Sequence, residues 1–209
     1  MRGISFGNFL IKQVVEELRE ELRGIQQFAT LSPVPGFRSW LTDQLEKGEL
    51  PNLAVNATER STLLETAGLA PQPEPEPREI VAALTTLLGM DIWFKTPASR
   101  DTLRPVMLRL AALYLTQSAQ LKFRIDPVAR FHLGNGARLE RINWLANANK
   151  AGLAESHGIM VNYLYDPATI EANHEHFTRD GIVARSNEVE MLVLPPGGRS
   201  PLLRTAPQR

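Results

Sequence analysis

None of the 209 residues is a cysteine. Disulfides, thiolate metal sites and cysteine nucleophiles are therefore excluded, and the chain suits a reducing compartment. An excess of charge is also missing. The 23 Lys and Arg residues match 23 Asp and Glu, so no overall field favours nucleic acid or an anionic membrane as partner. No apolar run approaches the length of a bilayer span. The opening MRGISFGNFLIKQ turns to charged and amide residues too soon for a signal peptide, and a cytoplasmic location is expected. Ser32 does not stand in a Gly-x-Ser-x-Gly elbow, so a hydrolase-type nucleophile there has no support, and the chain has no internal repeat. What is present, 43% hydrophobic and 22% charged residues, suits one large globular domain or two small ones.

Helical spacing is clear from Phe9 to Leu22, where Leu10, Ile11, Val14, Val15 and Leu18 line one face. Asn8 is placed to cap that helix and Gly24 to stop it. A strand is expected over Ile25 to Leu31, ended by Ser32-Pro33-Val34-Pro35-Gly36. Helices are expected over Phe37 to Leu45, Thr58 to Ala67, Arg78 to Leu88 and Thr102 to Leu115. The stiff polar connector Pro71 to Pro77 lies among them. Residues 46–100 read as a helical insertion, with Glu74 and Glu76 as loop charges. Leu139 to Ala146 is helix-capable, Ile159 to Tyr165 is the best strand of the second half, and Pro167 to Arg179 and Arg185 to Leu194 read as helices. Residues 195–209 read as a disordered tail.

Three constellations can carry chemistry. Arg2, Gly3, Ile4, Ser5, Phe6, Gly7 and Asn8 form a glycine loop feeding a helix N-terminus, where free N–H groups and the helix dipole bind phosphate. Ser32 stands at a strand end beside a proline, where its hydroxyl can face a cleft, although serine there is commonly a turn residue. His132 precedes a Gly134-Asn135-Gly136 turn that can hold the imidazole in a fixed aim; a buried histidine at the edge of a core is the plainer reading. His174 and His176, two apart on a helix, do not share a face and read as solvated. Trp40, Trp93 and Trp144 read as core.

Arg2-Gly3-Ile4-Ser5-Phe6-Gly7, Leu31-Ser32-Pro33-Val34-Pro35-Gly36-Phe37, FHLGNGA with RINW (131–144) and GIMVNYLY (158–165) together resemble malonyl-CoA decarboxylase, from the first residues to about Val193. The resemblance implies an α+β fold, a GNAT-like mixed sheet flanked by helices with acyl-CoA in a cleft of the sheet. It implies Ser32 and His132 as the catalytic pair, and malonyl-CoA as substrate with acetyl-CoA and carbon dioxide as products. Neither metal nor organic cofactor is expected, because the thioester itself accepts the electrons of the broken C–C bond. The chain begins where that family's CoA-pyrophosphate loop begins. It is therefore expected to lack the family's helical domain, which would bring homo-oligomerisation, and the first catalytic strands.

In this reading His132 donates a proton to the enolate carbon and Ser32 relays it. Asn135 holds the imidazole or binds the acyl group. Tyr165, at the end of the second strand, is a weaker pocket residue with packing as its alternative. Two other readings stay open: an inactive fragment serving only folding or association, and a CoA-dependent acyltransferase.

Overall fold

The computed structural model describes residues 13–50 (16, 19, 23 and 26 excepted), 53–71, 77–117 and 125–194. Helical residues between 13 and 21 come first and end before Gly24. Three strands follow, β1 (Phe28–Pro33), β2 (Arg138–Asn143) and β3 (Met160–Tyr165). The helices are α1 (Phe37–Lys47), α2 (Ala57–Ala67), α3 (Pro77–Leu88), α4 (Pro97–Gln117), α5 (Pro127–Gly134), α6 (Lys150–Ser156), α7 (Ile170–Asp180) and α8 (Asn187–Val193).

β3 lies between β1 and β2 and is antiparallel to both. The α+β class is as expected. The sheet's parallel element among the described residues is a single bridge, Leu139 with Arg185, beyond β2. α1 to α4 pack their leucines into one core with the sheet, including Leu41, Leu63, Leu84, Leu103 and Leu110. Arg109 grips Glu59 with two parallel bonds of 2.9 and 2.7 Å, tying α4 to the head of α2. That head is closed by a capping box between Asn56 and Glu59.

The helix reading of Leu139 to Ala146 is corrected: this segment is strand β2 followed by turns. A bulge explains the misreading. The register jumps between Leu139 and Arg141, which leaves Glu140 as the extra residue. The buried Leu139 and Ile142 therefore stand three apart, a helical interval produced by a strand. β1 is displaced relative to the expected strand and runs through Ser32 to Pro33. The segment before the Gly-Asn-Gly turn is α5, a helix that apolar periodicity does not reveal in eight residues. Its signature is Asp126-Pro127, a capping side chain followed by proline in the first turn.

Candidate active site

The antiparallel register puts Phe28, Thr30 and Ser32 of β1 opposite Tyr165, Tyr163 and Val161 of β3. Alternation along each strand turns all six side chains to one face. That face carries hydroxyls where an ordinary core face would carry aliphatics. His132, in the last turn of α5, is laid onto it.

The imidazole is held on three sides. Its Nε2 lies 3.0 Å from Ser32 Oγ, across 100 residues of sequence. Its Nδ1 lies 2.7 Å from the Tyr165 hydroxyl. The ring stacks on Tyr163 with centroids 4.4 Å apart and planes 17° apart, while Phe131 meets it edge-on. Ser32 Oγ in turn donates to Thr30 Oγ1 at 3.0 Å. Ser32 and His132 are both buried.

Burial lowers the His132 pKa from its ordinary 6.5 to about 4, so the ring is neutral at neutral pH. Burial raises the Tyr165 phenol well above its usual range, so it keeps its proton. With the Ser32 proton given to Thr30, one tautomer satisfies every bond. Tyr165 donates to Nδ1, and the His132 proton sits on Nε2 and points at Ser32. The result is a directed chain of donors, Tyr165 to His132 to Ser32 to Thr30.

The turn after α5 is braced by α7. Gly136 has φ +78°, and a Cβ there would stand 2.0 Å from the Ile170 carbonyl oxygen. Asn173 Nδ2 donates to the Gly136 carbonyl at 3.2 Å. His174 Nδ1 donates to the Gly134 carbonyl at 2.6 Å. His174 is therefore half-buried and structural, correcting its reading as a solvated residue; His176 is exposed as expected. Trp93 is buried, and Trp40 and Trp144 pack against the core.

Of the residues singled out in the sequence, Ser32, His132 and Tyr165 are brought into direct contact, and Tyr165 moves from the margin of the site to its centre. Asn135 is buried, but its Nδ2 donates to the Phe131 carbonyl at 2.6 Å. It closes the helix end and has no side-chain bond to the imidazole. Its Oδ1 is without a hydrogen-bond partner among the described residues. Arg2 to Asn8 lie outside the described residues, as do Glu74 and Glu76. Thr30 and Tyr163 were not singled out, although period-two spacing from Ser32 and Tyr165 puts both on the same face. Among the described residues no cluster of His, Asp and Glu could hold a metal ion. No helix there is long and apolar enough to cross a membrane.

Among the described residues the imidazole of this buried Ser–His pair meets a phenol at its second ring nitrogen and no carboxylate, so the arrangement lacks the orienting acid of a hydrolase triad. Residues 1–201 match the family model of the malonyl-CoA decarboxylase C-terminal domain, and the chain belongs to that family. Similar proteins include "Malonyl-CoA decarboxylase, mitochondrial" of Anser anser anser, 38% identical over 79% of this chain and 32% of the relative. The protein of the same name from Rattus norvegicus is 36% identical over the same shares. The crystal structure of malonyl-CoA decarboxylase from Rhodopseudomonas palustris matches with a TM-score of 0.71 and 44% identity, over 91% of this chain and 38% of that one. The Agrobacterium vitis enzyme matches with a TM-score of 0.69 and 41% identity, over 92% and 42%. The chain thus spans about a third of the length of the curated relatives it matches.

Proposed function

We propose that the chain forms the proton-transfer half of a malonyl-CoA decarboxylase, converting malonyl-CoA to acetyl-CoA and carbon dioxide. The observation that carries this reading is the 3.0 Å Ser32–His132 contact, backed by Tyr165 on the other ring nitrogen. Loss of carbon dioxide leaves the electron pair of the broken C–C bond delocalised over the α-carbon and thioester oxygen. No metal or organic cofactor is assigned, because that thioester is the electron sink. Reaction then requires only a dry pocket, a donor facing the developing oxyanion and a proton for carbon.

Ser32 supplies its hydroxyl proton to the α-carbon once the hydroxyl rotates away from Thr30. His132 replaces that proton from Nε2, and Tyr165 replaces it at Nδ1. On product release water reprotonates Nε2 by way of the Ser32 hydroxyl, and the phenolate takes its proton back from Nδ1, which its raised pKa favours and which restores the resting tautomer. His132 is thus the donor behind Ser32, and the neutral ring is the form the relay needs. A hydroxyl aimed at the thioester oxygen before transfer also stabilises the enolate. The loop Arg2 to Asn8 is assigned to the CoA pyrophosphate on its glycine pattern alone. A cytoplasmic location belongs to the same reading, and cell fractionation tests it.

The test is carbon dioxide release from malonyl-CoA. His132→Ala and Ser32→Ala should each lower turnover by roughly 10²-fold or more while free CoA still binds. Near-normal release by His132→Ala would end the assignment. Acyl transfer to an amine without carbon dioxide release would favour an acyltransferase instead.

A further inference from the structure

The Ser32–His132 contact joins two segments that no local structure brings together, and one buried side chain outside the contact links both. Asp126 is 1% exposed and heads α5. Its Oδ1 accepts from the N–H groups of Val128 at 3.0 Å and Ala129 at 3.2 Å. Its Oδ2 accepts from the Gly36 N–H at 3.0 Å and from the Tyr114 hydroxyl at 3.5 Å. Gly36 ends the Ser32-Pro33-Val34-Pro35-Gly36 turn, whose prolines make it a stiff extension of β1. α5 ends on His132 and its turn. The carboxylate thus fastens the segment that carries Ser32 to the segment that carries His132.

Capping α5 needs only one acceptor, which Asn, Ser or Thr would also provide. The second oxygen is what calls for an aspartate. An asparagine that kept its oxygen on the cap would turn an N–H2 toward the Gly36 N–H, donor against donor. Gly36 is fitted to the same join. A Cβ there would meet the Tyr114 hydroxyl at 2.3 Å and Asp126 Oδ2 at 3.3 Å. The close approach therefore involves three side-chain and backbone groups, none of which contacts the imidazole.

We propose that Asp126 is a positioning residue of the decarboxylase site, its carboxylate setting the distance between Ser32 and His132 by bridging the turn after β1 and the head of α5. This rests on the reading that Ser32 and His132 are the working pair. A displacement of about an ångström between reacting groups is enough to cost a large rate factor, so a lost bridge acts on turnover ahead of binding.

The test compares Asp126→Asn and Asp126→Ser with the parent protein; both variants keep an oxygen for the α5 cap. Circular dichroism and thermal melting report folding, nitrogen-15 NMR of the His132 ring reports its tautomer without substrate, and carbon dioxide release gives kcat and KM. Both variants should fold and keep KM within about twofold while kcat falls about tenfold or more. The ring should change from a single Nε2–H form to a mixture. A lower melting temperature with unchanged ring signals and kcat would overturn the proposal and leave Asp126 as a helix cap. If Asp126→Asn does not fold, Asp126→Ser gives the same readings. The ring signals are obtained without turnover, so they judge the bridge even where His132→Ala leaves carbon dioxide release intact, the result that would sink the catalytic reading instead.

Discussion

Lowering the pH from 7.5 to 4.5 should unfold this protein through two histidines. His132 and His157 are each buried, and burial holds both near pKa 4 against an ordinary 6.5, with Arg38 adding to the effect at His157. The sign follows from proton counting. Between pH 6.5 and 4 the unfolded chain protonates both rings while the folded chain keeps them neutral, so the unfolded state binds more protons and stability falls as pH falls. At 1.36 kcal/mol per unit, each histidine removes about 2 kcal/mol by pH 5 and roughly 3 kcal/mol by pH 4. Together they approach the 5–15 kcal/mol that a domain typically has in hand. Asp43 and Asp180 act in a lower window. Their pKa values are lowered chiefly by hydrogen bonds from Lys47 and Arg179, so their contribution is lost only below their ordinary 3.8. The assay is urea denaturation at half-unit pH steps. The midpoint should fall steeply below pH 6.5, and His132→Gln with His157→Gln should remove most of that slope. A double variant with the parent's slope would refute the argument.

Tyr163 separates ring from hydroxyl. Its hydroxyl is buried without a hydrogen-bond partner among the described residues, so Tyr163→Phe should melt at or above the parent temperature with turnover kept. Tyr163→Leu removes the stacked ring beneath His132 and should lower both, the stacking alone being worth about 0.5–1.5 kcal/mol. Gly136→Ala meets a positive φ and the Ile170 carbonyl at 2.0 Å. It should cost at least about 1–2 kcal/mol from the backbone strain, a drop of several degrees in a thermal melt.

How legible the fold was depended on segment length and on bulges. Pro77–Leu88 and Met160–Tyr165 are long or alternating enough to declare their type, and the structure agrees with the reading within a residue. Pro97–Gln117 extends the expected Thr102 to Leu115 at both ends, and the helix runs through Pro105 as that reading already required. Such a proline ordinarily marks a boundary. β2 misleads because Glu140 bulges, so that the apolar spacing reports the defect rather than the strand. α5 is too short for periodicity, and only the Asp126-Pro127 start betrays it.

The Ser32–His132 pair at the centre of the candidate site was legible in the sequence, and the side chains around it were not. Ser32 and His132 were recognisable because their flanking motifs are specific, whereas the tautomer of the ring depends on Tyr165 and Thr30, whose places follow only from strand register. A one-residue slip of β1 against β3 would turn Ser32 away from His132 and present Leu31 in its stead. Register is a tertiary property, fixed here by the buried residues on β3 and by the Asp126 bond to Gly36. The same dependence explains Asn135. Its sequence position beside His132 suggested contact with the ring, but the helix end claims its amide first, as a second donor to the Phe131 carbonyl that the Asn135 N–H already bonds. Nearness in sequence on a helix thus counted for less at this site than nearness across the sheet. The side chains that hold the imidazole come from β1 and β3, and the helix that carries it adds only the edge of Phe131.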